Sequence, residues 1–81
     1  MQAIIRDARA LGATLRMART QRNLRQIDLA NKVGIRQALI SDLERGVAGA
    51  RLDTVIKVMA ALGLDLAVIP RSRSDFDPTD Y

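Results

Sequence analysis

Residues Gln26–Gly46 read QIDLANKVGIRQALISDLERG, and the spacing inside this stretch decides the fold. Ile27, Leu29, Ala30 and Val33 recur at helical spacing and stop at Gly34, a residue that accepts the positive φ with which helices commonly close. A second helix runs from about Arg36 to Arg45, buries Ile40 and Leu43, and is closed by Gly46. Ala30 is small where the two helices cross. With Ile40 turned to the core, Gln37, Ala38 and Ser41 on the second helix face outward.

Helix, glycine turn and helix at this spacing make a helix-turn-helix layout. The outward side chains suit the major groove of DNA. Gln pairs bidentately with adenine, Ala meets the thymine methyl, and Ser bonds to bases or phosphates. Arg36, at the helix start, lies within reach of a phosphate or a guanine. The charge distribution agrees. Residues 1–51 hold ten basic and four acidic residues, a balance of +6, whereas residues 52–81 hold three and five, a balance of −2. Eleven of the 13 cations are Arg, the better bidentate donor to phosphate and guanine. The first part of the chain reads as a polyanion-binding domain.

Working outward, Asp7 is placed to cap a first helix in which Ala8, Leu11, Leu15 and Ala18 form the apolar stripe and Arg9, Arg16 and Arg19 lie off it. That helix ends near Gln21–Asn23. Met1–Arg6 is either extended or a lead-in to it. Val47–Ala50 is a loop. Leu52, Val55, Ile56, Met59 and Leu62 predict an amphipathic helix ending at Gly63, and Met17 and Met59 are expected in the core. The period then changes. Leu64–Ile69 predicts a strand stopped by Pro70, which pairs with Gln2–Arg6, pairs with the same strand of a second copy, or merely covers the core as an extended segment. Residues 71–81 form a polar tail whose Phe76 and Tyr81 are either a solvated end or a short motif that orders on a partner protein.

Eighty-one residues allow one domain, 1–70 with the dimerisation strand at 64–69, and such a small core gains from dimerisation. The absence of Cys and His excludes disulfides, thiolate and imidazole metal ligands, and nucleophiles of those types. Ser41 has no His or other paired base beside it, and Asp65, Asp75, Asp77 and Asp80 lack the Gly and Glu spacing of a calcium loop. Binding without an enzymatic reaction, cofactor or metal is therefore expected. No apolar run reaches 18 residues and Met1–Ala10 lacks the layout of a secretion signal, so a soluble, cytoplasmic, nucleoid-associated protein without a membrane partner is expected.

Through LRQIDLANKVGI (24–35), ISDLERG (40–46) and LDTVIKVMAALGL (52–64), the chain resembles the Cro/repressor (Xre) helix-turn-helix family over roughly Leu11–Leu62. IRQALIS (35–41) and LDLAVIP (64–70) are similar to the HipB-type antitoxins of that family. The resemblance implies an all-α, lambda-repressor-like domain of four to five helices, with a C-terminal strand that pairs across a homodimer. It implies that Arg36, Gln37, Ala38 and Ser41 contact double-stranded operator DNA and that Gln26 contacts its backbone. Leu64, Leu66 and Val68 would line the dimer strand. It further implies repression of the protein's own operon and binding of a HipA-like kinase toxin, the alternative being a stand-alone or phage-type Xre regulator with no toxin.

The chain departs from the family at three helix starts, where Arg25, Arg36 and Arg51 replace the usual Ser or Thr caps. Arg has no acceptor for the orphan amides. Bound phosphates would satisfy them instead, which adds Arg25 to the DNA-contacting residues, while Arg51 either does the same or is simply exposed. Glu44 is expected to pair with Arg16 or Arg19 rather than to read DNA.

Overall fold

In a computed structural model of the chain, residues 2–47 and 49–71 are described, so Phe76 and Tyr81 lie outside the described residues. Four helices follow in order: α1 (Ala8–Gln21), α2 (Gln26–Val33), α3 (Gln37–Glu44) and α4 (Leu52–Ala61). The expected helix-turn-helix layout is present as α2 and α3.

Each helix begins and ends for local reasons. Asp7 caps α1, its Oδ1 accepting from the Ala10 amide at 2.7 Å. Asn23 then adopts φ 57°, a left-handed conformation that Asn tolerates, and the Leu24 amide returns to the Arg19 carbonyl at 3.2 Å. α2 closes at Gly34 with φ 83°, and the Gly34 and Ile35 amides both donate to the Ala30 carbonyl. The glycine bends the chain into α3.

The core is aliphatic: Leu15 and Ala18 from α1, Leu29 and Ala30 from α2, Ile40 and Leu43 from α3, and Val55, Val58, Met59 and Leu62 from α4 and its cap. Each large side chain among them contributes roughly 1.5–3 kcal/mol by leaving water. α1 packs on α3, and α2 packs on both α3 and α4. At the α1–α3 contact, Gly12 is buried against backbone. A Cβ there would collide with the Leu43 carbonyl oxygen and stand 2.6 Å from that of Glu44. Only glycine lets the end of α3 sit this close to α1.

Two expectations are corrected. The inward face of α4 is Val55, Val58, Met59 and Leu62, while Leu52 is 65% and Ile56 46% exposed. Two apolar stripes at helical spacing overlap on this helix, and its packing against α2 selects one of them. Met17 is exposed rather than part of the core, because the α1 surface turned inward is that of Gly12, Leu15, Ala18 and Arg19. The strand expected at 64–69 is not shown in a single copy: no β-strand occurs among the described residues, and that segment has no regular secondary structure. The Leu64 amide is used to close α4 on the Met59 carbonyl at 2.8 Å, and no backbone bond joins 64–69 to residues 2–6. A strand exists only with a partner ladder, and a single copy supplies none.

Candidate nucleic-acid interface

α3 is held by Ile40, 1% exposed, and by Leu43, both locked into the core. That fixes its roll. Gln37 and Ala38 are exposed, Ser41 is half-buried, and Arg36 stands exposed as the residue before the first turn. These four sequence-predicted residues therefore share one end and one side of a short helix. Arg36 has extended backbone (φ −75°, ψ 146°) and makes no capping bond. The Leu39 amide turns back to the Arg36 carbonyl at 3.0 Å, and those of Gln37 and Ala38 remain available to an acceptor from outside, on the end of the helix that favours anions.

The start of α2 is built differently. The Arg25 side chain caps nothing, but the Asp28 carboxylate reaches back to it. Asp28 Oδ2 accepts from the Arg25 amide at 2.9 Å and from Nε at 3.0 Å, while Oδ1 accepts from Nη2 at 2.9 Å. Hydrogen bonds from the Arg25 side chain and backbone lower the Asp28 pKa to about 2, and the same pairing raises that of Arg25. The expected lost cap at Arg25 is thus half replaced. An acidic residue three positions into the helix was the signal, since that spacing is the one a capping box uses. Arg51 is likewise engaged by Asp53, and Arg45 by Asp42 on the outer side of α3.

Beneath this surface lies a polar anchor. Arg19 of α1, 9% exposed, donates Nε to Glu44 Oε2 at 2.6 Å and Nη2 to Oε1 at 3.0 Å, and gives Nη1 to the Leu24 carbonyl at 2.7 Å. The expected partnership of Glu44 resolves to Arg19; Arg16 is exposed. Hydrogen bonding to Glu44, against the opposing effect of burial, raises the Arg19 pKa. Such a pair adds little net stability, but removing one member costs about 3–5 kcal/mol because the other charge stays buried. Gln26, the first residue of α2, joins the same carboxylate: its Nε2 donates to Glu44 Oε1 at 3.2 Å. Sequence reasoning missed this link, because eighteen residues separate the two and no helical period connects them.

Leu64, Leu66 and Val68 are not part of this surface. They follow α4, where Leu66 is 58% and Val68 96% exposed, Ile69 is also exposed, and Leu64 is half-buried against the core. Among the described residues, no group of His, Cys, Asp and Glu side chains is arranged to hold a metal. No helix there is long and apolar enough to cross a membrane.

A helix-turn-helix family model matches residues 15–69, which span α2, the turn, α3 and α4. The chain belongs to the Cro/repressor (Xre) helix-turn-helix family. The relatives of this helix-turn-helix protein include a transcriptional regulator and an antitoxin. It is 36% identical over 59 residues to an uncharacterized HTH-type transcriptional regulator of Sinorhizobium fredii, covering 73% of this chain and 78% of the relative. It is 29% identical over 70 residues to antitoxin HipB of Escherichia coli, covering 86% and 80%. Among solved structures, HipB in a HipA–HipB–O2–O3 complex superposes with a TM-score of 0.80 at 28% identity, over 88% of this chain and all of that one. The family likeness covers the fold and the turn region together.

Proposed function

We propose that this helix-turn-helix protein is a homodimeric, sequence-specific DNA-binding repressor that acts as the antitoxin of a HipBA-like operon. It represses that operon in the cytoplasm and binds a kinase toxin. The observation that carries the DNA-binding role is the outer side of α3. Gln37 and Ala38 stand exposed beside Arg36 while Ile40 and Leu43 anchor the opposite side, so the polar surface is presented on a rigid support.

In this reading Gln37, Ala38 and Ser41 meet base edges, Arg36 meets a phosphate or guanine at the uncapped helix start, and Gln26 meets the backbone. Arg25 reaches a phosphate by exchanging it for Asp28. Two copies place two α3 helices one DNA turn apart, about 34–36 Å. The second copy covers apolar surface that one chain leaves in water, at Leu66, Val68 and Ile69 with Leu64 beneath, and the backbone of 64–69 gains its ladder there. Phe76 and Tyr81, outside the described residues, are the side chains proposed to meet the protein partner.

Similarity to antitoxin HipB and to the HipA–HipB complex supports the toxin-binding role. The S. fredii regulator, at higher identity, favours a second reading, a stand-alone regulator without a toxin. One experiment separates them. The chain is co-expressed with the product of the adjacent reading frame and purified, and its binding to the upstream DNA is titrated at several salt concentrations. An antitoxin co-purifies with a kinase-like neighbour and binds that DNA with steep salt dependence. DNA binding without co-purification leaves the stand-alone regulator. Affinity equal for upstream and random duplexes rejects the repressor itself.

A further inference from the structure

The Glu44 carboxylate collects donors from two other helices. Two come from Arg19 of α1 and one from Gln26 of α2, while Glu44 is itself the last residue of α3. Its side chain is 4% exposed. An acidic group this close to a surface meant for phosphate is at first sight a mistake. The bidentate contact with Arg19 removes the objection, because the carboxylate is neutralised by a partner that is itself largely buried.

The charge then has a second consequence. An ionised carboxylate only accepts, so the Gln26 carboxamide must turn its nitrogen toward Glu44. Nε2 carries two hydrogens, and one is committed to Glu44 Oε1 at 3.2 Å. The carbonyl end of the same amide has no protein partner, and no buried side-chain polar atom among the described residues is left unpaired, so that end is open to solvent. We infer that Glu44 is a positioning residue for DNA binding: by holding Gln26 through Nε2 it fixes the orientation of the carboxamide and keeps the second Nε2 hydrogen as a donor for a phosphate oxygen. An untethered amide flips freely, and the flipped form presents an oxygen to the phosphate. The inference rests on the DNA-binding role proposed above, and it assigns Glu44 a task beyond stabilising Arg19.

A double-mutant cycle tests it. Binding of the full chain to a fluorescent duplex of the DNA upstream of its own coding sequence is measured for the parent, Gln26→Ala, Glu44→Gln and the double variant, at a temperature where melting curves show each to be folded. Loss of one hydrogen bond to an anionic phosphate predicts a roughly 10- to 150-fold weakening for Gln26→Ala. Glu44→Gln, whose own amide no longer dictates which end of Gln26 faces it, weakens binding in the parent. In the Gln26→Ala background the same change has little further effect, because the group it orients is gone. Equal losses in both backgrounds overturn the inference and leave Glu44 a purely structural residue, with Gln26 still a DNA contact. An unchanged affinity for Gln26→Ala overturns the inference as well, without touching the repressor proposal. A parent chain that does not bind the duplex rejects the repressor proposal itself. Should Glu44→Gln not fold, nitrogen-15 NMR of the parent's Gln26 side-chain amide answers the same question. One proton protected in the free protein and the other shifting on addition of duplex supports the inference. Two protons that interchange freely in both states overturn it.

Discussion

The two sides of this small domain are unfinished in opposite ways. The outer side of α3 is polar, carries exposed Arg36 and Gln37, and stands on fixed supports: Ile40 and Leu43 in the core, the Gly12 seat on α1 and the Arg19–Glu44–Gln26 anchor. The segment after α4 is apolar, with Val68 96% exposed, and only its first residue, Leu64, is tied back to the helix that precedes it. The difference teaches what each side waits for. A preorganised polar surface with free helix amides suits a rigid polyanion, which cannot adapt to a moving reader. An exposed apolar segment without a backbone ladder suits a second chain, which supplies both the cover and the hydrogen bonds.

The comparison breaks most visibly if its anchor is removed. Arg19→Met leaves Glu44 buried without its partner and is expected to lower unfolding free energy by about 3–5 kcal/mol, read by urea denaturation. A loss below about 1 kcal/mol means the carboxylate finds water or another donor, and the polar side is less rigid than argued. Next, Arg36→Ala combined with Gln37→Ala is expected to weaken upstream-DNA binding by at least about 30-fold, at about 1–3 kcal/mol per specific pair, while the melting temperature hardly moves. A variant that unfolds instead would place these side chains in the scaffold rather than on the surface.

Val68→Asp addresses the other side. It is expected to shift the chain to monomer in sedimentation at micromolar concentration and to weaken DNA binding, with the helical content of the monomer retained. A dimer that persists moves the interface away from 64–69. A smaller effect is expected at the turn between α2 and α3: Gly34→Ala, forced to φ 83°, costs about 1–2 kcal/mol by thermal melting although nothing surrounds the added methyl. The smallest is the acid response of Asp28. Its pKa is lowered to about 2, so the Arg25 pairing contributes stability that is complete above the ordinary carboxylate range and disappears as pH falls toward 2. Asp28→Asn is expected to be slightly less stable at neutral pH and to lack that part of the acid loss. Identical pH profiles for parent and variant would remove the clamp from the account.

Much of this was legible in the residues. Period, glycine and small-residue spacing over Gln26–Gly46 name the two helices and their turn, because those features act within a few residues of chain. Asp7 as a cap, Asn23 as a turn residue and the outward placement of Gln37 and Ala38 follow from the same local rules. Arg19 and Glu44 were legible only as a pairing of types. That Gln26 shares the carboxylate was not, since the contact is made by the angle between α2 and α3. The face of α4 was misread at Leu52 and Ile56 because a helix with two apolar stripes does not say which one its neighbour will cover.

By itself, then, the sequence determined four helices, an outward polar start to the second helix of the turn motif and an apolar C-terminal segment, all properties set by periodicity and side-chain chemistry. The tertiary structure alone decided which stripe of α4 is inside, how closely α3 sits on Gly12, and that one buried carboxylate ties three helices together. Those outcomes depend on where separate helices come to rest against each other. Packing in three dimensions, unlike helical period, has no signature along the chain.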